Sequence, residues 1–203
     1  MWKLLLAAVA GYLLGNVQTA ILLSKWKYKD DVRKHGSGNA GSTNMLRVFG
    51  LKSGLVTFVG DFLKGIIGVI VGRLIAGENG AYIASLFVVL GHDFPAFLQF
   101  RGGKGVASTL AILWMLNPLY GAIVTAVAVI MLFATRIVSV ASLSGTTAYV
   151  ILALVFSNDN LPFVALSITL WLLVVIRHAD NIKRLLHKQE SRLFEKNKKD
   201  AGH

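Results

Sequence analysis

The sequence contains no cysteine. That excludes structural disulfides, thiolate nucleophiles and cysteine-ligated metals together. Acidic residues are scarce as well: 10 Asp and Glu stand against 21 Lys and Arg, and charged residues of both signs make up only 15% of the 203. The five histidines are scattered, with no HExxH or DxD-like cluster, so no metal set and no cofactor is expected. There is no GxSxG and no Ser-His-Asp order. What is abundant is apolar. Hydrophobic residues reach 55%, in runs of membrane length that recur along the whole chain. The expected fold is all-α, a polytopic integral membrane protein of one domain over 1–203. The net charge of +11 invites a nucleic-acid reading. The basic residues, however, crowd the loops expected to face anionic lipid, so the partner is membrane lipid and not nucleic acid.

Seven apolar segments can be drawn, over 2–23, 54–76, 81–98, 106–116, 119–134, 138–156 and 162–176. The first carries Lys3 at its start, as a signal peptide does. It runs longer than a usual signal core and holds Gly11 and Gly15 at a helix-packing spacing, which reads as a retained span. The segment 106–116 is about 16 Å long as a helix, short for a hydrocarbon core of roughly 30 Å. It could instead be half of one long span broken near Asn117–Pro118. Charge decides. With seven spans, all of the 21 Lys and Arg except Lys3, Lys64 and Arg73 fall on one side. Merging 106–134 would send the basic tail, about 183–203, to the face opposite the basic 24–52 loop, against the positive-inside rule. Seven transmembrane helices are therefore expected, with the N-terminus outside and the C-terminus cytoplasmic. The short fourth helix then begins below the cytoplasmic membrane surface, in a polar funnel between helices, where irregular backbone is tolerated.

Three segments on that side carry candidate chemistry. "GSGNAGSTNMLR" at 36–47 has glycines at 36, 38 and 41 that suit an anion-binding nest. Ser37, Asn39, Ser42, Thr43 and Asn44 are short donors, Arg47 is a planar cation suited to phosphate, and Thr43 or Asn44 can cap a helix through 45–49. "GHDFPAFLQFRGGKGVAS" at 91–108 is not a P-loop, because Leu98 and Gly105 stand where Gly and Ser or Thr are needed. It is a glycine turn, Gly102, Gly103 and Gly105, feeding a helix N-terminus beside Lys104, and a phosphate fits there. His92 and Asp93 read as acid–base groups or as polar loop anchors. In "RHADNIKRLLHKQE" at 177–190, His178 and Asn181 are three apart and share a helix face. Ser142 lies within the sixth segment and either touches substrate or bonds its own backbone. Asp61 and Lys64 sit inside the second segment, where charge is costly, and either pair or face the polar interior.

These three segments, in this order, resemble the bacterial acyl-phosphate:glycerol-3-phosphate acyltransferase family, PlsY. "GSGNAGSTNMLR" is similar to the family pattern GSGNxGxTNxLR, "GHDFPAFLQFRGGKGVA" to GHxFPxFLxFxGGKGVA, and "RHADNIKRLLHKQE" to RHxxNIxRLLxGTE. Ser42 stands where Ala is common in the first. Lys188 and Gln189 replace Gly and Thr in the third, so the role of Glu190 stays open. The resemblance covers essentially the whole chain. It implies direct transfer of a fatty acyl group from acyl phosphate to the 1-hydroxyl of sn-glycerol 3-phosphate, giving lysophosphatidate and phosphate without an acyl-enzyme. This is the first acylation of bacterial phospholipid synthesis. It further implies a multi-pass inner-membrane enzyme, acting as a monomer, with its site facing the cytoplasm. Ser37, Arg47, Lys104, Ser142, His178 and Asn181 are the expected catalytic set. Gly38, Asn39, Gly41, Thr43, Asn44, Gly102, Gly103 and Gly105 are the expected substrate-binding set.

On this reading Lys104, Arg47 and the 102–105 backbone hold glycerol 3-phosphate, and the 36–44 nest holds the donor phosphate. Asn181 or a backbone N–H stabilises the oxyanion, and the hydroxyl proton goes to His178 or to a substrate phosphate. A transporter of phosphorylated solutes would want a midplane site and related halves, whereas here the polar groups gather at one face.

Overall fold

The computed structural model describes residues 1–193, and the part of the expected basic tail past Leu193 lies outside the described residues. The helices are α1 (Trp2–Asn16), α2 (Thr19–Tyr28), α3 (Ser42–Asp93), α4 (Val106–Leu116), α5 (Pro118–Thr135), α6 (Val138–Phe156), α7 (Leu161–Arg177) and α8 (Ala179–Leu186), with 3₁₀ turns at Val32–Lys34 and Ala96–Leu98. No strand occurs among the described residues. The residues from 183 that the sequence assigns to a tail begin inside α8.

The first apolar segment is broken. Val17 (φ −69°, ψ 106°) and Gln18 (φ −101°, ψ 96°) are extended, which divides α1 from α2. A broken helix frees carbonyls that lipid cannot satisfy. Here Lys64 Nζ donates to Val17 O at 2.8 Å and Gly15 O at 3.3 Å, and Gln18 Nε2 donates to Gly15 O at 3.2 Å. Helix α3 is three helical limbs, interrupted at Gly50 (φ 83°) and at Ala76–Gly77, where Gly77 has φ 64°. The second and third limbs fold back on each other closely: a Cβ on Gly72 would lie 2.3 Å from the Gly80 oxygen. Helix α1 packs against the third limb the same way, a Cβ on Gly15 falling 2.2 Å from Val88 O.

Asn117 caps α5 by accepting from Tyr120 N, with Pro118 in the first turn, so α4 and α5 are separate helices. Asn160 does the same for α7 through Phe163 N. Trp114 of α4 donates to Thr125 Oγ1 of α5 at 2.9 Å, which holds the pair as an antiparallel hairpin.

The connections gather at two ends. At one, Arg33 reaches the Leu98 and Arg101 carbonyls, Arg177 reaches Gly103 O, and Leu193 N donates to Arg136 O. All the basic loops therefore lie together. At the other, Tyr120 OH meets Ser157 Oγ at 2.9 Å and Asn160 meets Tyr82 OH at 3.1 Å. Tyr120, Tyr149 and Phe163 pack edge-on beneath that end, within a core that includes Ile112, Leu113 and Leu170. Leu5, Val9, Leu55, Phe133 and Ile151 point outward and stay exposed, the pattern of a bundle in lipid.

By length and apolarity, four helical runs can cross a bilayer: Trp2–Tyr28, Ser42–Leu98, Pro118–Thr135 and Val138–Phe156. The bent pair Leu161–Arg177 and Ala179–Leu186 makes a fifth. This differs from the seven segments of the sequence because 54–76 and 81–98 lie in one folded-back run, and because the 11 residues of α4 fall short of a span.

Candidate active site

A cavity of about 860 Å³ opens at the basic end. Its polar wall comes from the 36–47 loop and first limb of α3, the 104–107 turn, the start of α6, the α7–α8 junction and residues 190–193. It continues between helices as an apolar slot past Phe58, Leu110, Leu113, Val124, Leu132 and Gly145.

In the first loop Gly36 (φ 59°) and Gly38 (φ 72°) take the left-handed conformation the sequence anticipated, while Gly41 is extended at φ −140°. Asn44 ties the loop together. Its Nδ2 donates to Val32 O, His35 O and Asn39 O, each at 3.1 Å, and its Oδ1 accepts from Ser37 N at 2.9 Å. Its amide is therefore fully engaged by the protein. The helix begins at Ser42, with Gly41 as N-cap and no capping side chain. The expected cap at Thr43 or Asn44 is corrected: Asn44 is turned back to the loop, and the free N–H groups of the first turn border the cavity with Thr43. Arg47 is exposed, lines the cavity, and has no ion pair or hydrogen bond among the described residues.

In the second loop Gly105 is the left-handed N-cap of α4 (φ 65°), again without a capping side chain. Two uncapped helix N-termini thus face one cavity. Lys104, adjacent to the α4 N-cap, lines the cavity and donates to Asn181 Oδ1. Burial, reinforced by Arg184 and Arg177, pushes the Lys104 ammonium down to about 8. Gly102 and Gly103 do not line the cavity. They lie against the end of α3, where a Cβ on Gly102 would be 1.9 Å from His92 O and one on Gly103 2.0 Å from His92 Nε2. Arg177 clamps this stretch by donating to Gly103 O at 2.8 Å while resting on the Phe94 ring at 5.1 Å. Gly38 is likewise outside the cavity wall.

His178 and Asn181 both face the cavity across the α7–α8 bend of 60°. His178 Nδ1 lies 2.8 Å from Val174 O and so carries a proton, which leaves Nε2 of the neutral ring as an acceptor. Ser142 lines the cavity and bonds its own backbone, donating to Val138 O at 3.0 Å.

Glu190, which the sequence left open, gathers Asn181 Nδ2, Arg184 Nε at 2.6 Å and Ser139 Oγ at 3.1 Å. Burial opposes its ionisation, but the hydrogen bonds from Arg184 and Asn181 outweigh burial and hold the carboxyl below its usual range. Asp61 and Lys64 pair at 3.0 Å, and the Asp61 backbone carbonyl accepts from Ser108 Oγ of α4 at 2.8 Å. No group of three or more potential metal-ligating side chains occurs among the described residues.

A family model described as glycerol-3-phosphate acyltransferase matches residues 5–188. A glycerol-3-phosphate acyltransferase of Thermoanaerobacter pseudethanolicus is 42% identical over 191 residues, 94% of this chain and 96% of that one. One from Clostridioides difficile is 38% identical over 202 residues, 97% of this chain and 98% of the relative. Among solved structures, the glycerol 3-phosphate form of PlsY, an integral membrane glycerol 3-phosphate acyltransferase, superposes with a TM-score of 0.88 at 33% identity, covering 94% of this chain and 95% of that chain. Its lysophosphatidic acid form gives 0.84 at 32% identity, covering 93% and 94%.

Proposed function

Because the chain belongs to the glycerol-3-phosphate acyltransferase family, we propose that its cavity transfers a fatty acyl group from acyl phosphate to the 1-hydroxyl of sn-glycerol 3-phosphate, releasing 1-acyl-glycerol 3-phosphate and inorganic phosphate. The observation that carries this reading is the pair of uncapped helix N-termini on one cavity whose floor runs into an apolar slot. Each end offers free N–H groups and about half a positive charge to an anion. Both substrates carry a phosphate, and one carries a long acyl chain.

Glycerol 3-phosphate sits at the α4 end, held by Lys104 and the first-turn N–H groups, with Arg47 as the second cation. The donor phosphate sits at the 36–43 end with Ser37 and Thr43. Its acyl chain lies in the slot between α3, α4, α5 and α6. An acyl phosphate is already activated, so the site supplies alignment and charge rather than a nucleophile. Asn181 Nδ2 gives one N–H to Glu190, and its second N–H donates to the oxyanion. His178 Nε2 accepts the hydrogen bond of the attacking hydroxyl. As the carbonyl–oxygen bond to phosphate breaks, the departing phosphate takes that proton and leaves as hydrogen phosphate.

The reading includes seven crossings with the basic end in the cytoplasm and the protein in the bacterial inner membrane. It is supported by the clustering of the basic loops at one end and by the positive-inside rule. The short α4 then starts inside the membrane boundary, so the charged acceptor descends to meet a donor held in lipid. A single chain supplies every group named, and the enzyme acts as a monomer.

Purified protein mixed with palmitoyl phosphate and glycerol 3-phosphate is expected to release phosphate and lysophosphatidate in equal amounts. Uptake of glycerol 3-phosphate into sealed liposomes without product would overturn the reading. A pH prediction follows from Lys104. Its folded-state value lies near 8, so the ammonium is present below that pH and lost above it. The kcat/KM for glycerol 3-phosphate is therefore expected to fall about tenfold per unit above pH 8, measured between pH 6 and 9.5. A flat profile would contradict the assignment.

A further inference from the structure

We propose that His92 is a further substrate-binding residue, a neutral imidazole that donates its Nε2–H to a phosphate oxygen of glycerol 3-phosphate bound at Lys104. The inference rests on the acceptor site described above.

His92 is 3% exposed and lines the cavity. Its Nδ1 lies 2.6 Å from Lys64 Nζ. An ammonium has hydrogens to give and no lone pair to accept with. Nδ1 is therefore the acceptor, and a neutral ring then carries its one proton on Nε2. A second proton on Nδ1 would set N–H against ammonium at this distance. Lys64 Nζ pairs with Asp61 Oδ1 at 3.0 Å, and it is aimed by the carbonyls of Val17 and Gly15 at 2.8 and 3.3 Å. Asp61 in turn accepts from Thr19 Oγ1 at 3.2 Å. The backbone that carries the ring is fixed, because its oxygen accepts from Gln18 Nε2 at 2.9 Å and from Gly103 N at 3.1 Å.

The other edge of the ring is left free. Nε2 has no hydrogen-bond partner among the described residues, and any side chain at Gly103 would cover it, a Cβ falling 2.0 Å away. Glycine at 103 therefore keeps a donor open next to Lys104 and the α4 N-terminus. A buried ion pair that fixes a tautomer and a glycine that uncovers the resulting N–H together make a phosphate donor that needs no charge of its own.

The test uses the full chain in nanodiscs with ¹⁵N-labelled histidine. The expected spectrum shows His92 protonated at Nε2 and not at Nδ1, with the Nε2 signal moving on titration with glycerol 3-phosphate. Kinetics then separate donation from anchoring. His92→Asn keeps an oxygen for Lys64 and loses the distal donor. His92→Gln returns an N–H near the Nε2 position. The KM for glycerol 3-phosphate is expected to rise about tenfold or more in His92→Asn and to stay within about threefold in His92→Gln, with the KM for palmitoyl phosphate unchanged in both. A proton on Nδ1, an Nε2 signal unmoved by saturating glycerol 3-phosphate, or equal KM increases in the two variants would overturn the proposal. If His92→Asn fails to fold, the wild-type tautomer and titration decide alone. Absence of turnover in the wild-type protein would instead strike the acyltransferase reading.

Discussion

Replacing Lys104 with alanine is expected to raise the KM for glycerol 3-phosphate by about 10- to 100-fold while leaving the KM for palmitoyl phosphate within about threefold. Charge-assisted hydrogen bonds contribute roughly 1.5–3 kcal/mol each, and Lys104 is the cation that stands at the α4 N-terminus. Its ammonium donates to Asn181, which keeps Glu190 as a partner. Removing the lysine therefore leaves the α8 network intact, and the thermal midpoint should barely move. Steady-state kinetics with each substrate varied in turn makes the check. Equal losses for both substrates would mean that the two phosphates share one pocket, contrary to the two-ended arrangement.

Replacing Lys64 with methionine is expected to lower stability heavily. The change strands the Asp61 carboxylate, 2% exposed, with the Thr19 hydroxyl at 3.2 Å and the His92 ring 3.7 Å away, and strips a donor from the carbonyls at the α1–α2 break. Breaking a buried pair from one side costs about 3–5 kcal/mol, which corresponds to a fall in Tm on the order of 10 °C. The double variant Asp61→Asn with Lys64→Met removes the stranded charge and should recover part of that loss. Thermal unfolding in detergent measures both. A single variant as stable as wild type would show that the pair does not hold the broken helix.

The helix list and the basic end were legible because apolar runs and loop charge are local signals. The split of α4 from α5 was read from charge, and the structure supplies its local cause in Asn117, which caps α5 immediately before Pro118. The break at Val17–Gln18 was not legible. Nothing in "GNVQTA" interrupts a helix by itself; the partners that satisfy the freed carbonyls come from Lys64, nearly fifty residues on. The same limit applies to the site. Lys104, Arg47, His178 and Asn181 announce themselves by type and position, and they do meet in one cavity. Asn44, Gly102 and Gly103 read as substrate contacts because their types suit phosphate. Their structural work was not legible: Asn44 donates to three carbonyls, and the two glycines lie against His92. Glu190 was left open because its three partners, Asn181, Arg184 and Ser139, converge on it only in the folded chain.

The most direct test is a crystal structure with glycerol 3-phosphate and a non-transferable acyl phosphate analogue bound together. The acceptor phosphate should lie on the first-turn N–H groups of α4 within hydrogen-bond reach of Lys104. The donor phosphate should lie at the Ser42 end of α3, with its chain running past Leu113 and Gly145. Both ligands at a single helix end, or an acyl chain outside the α3–α6 slot, would contradict it.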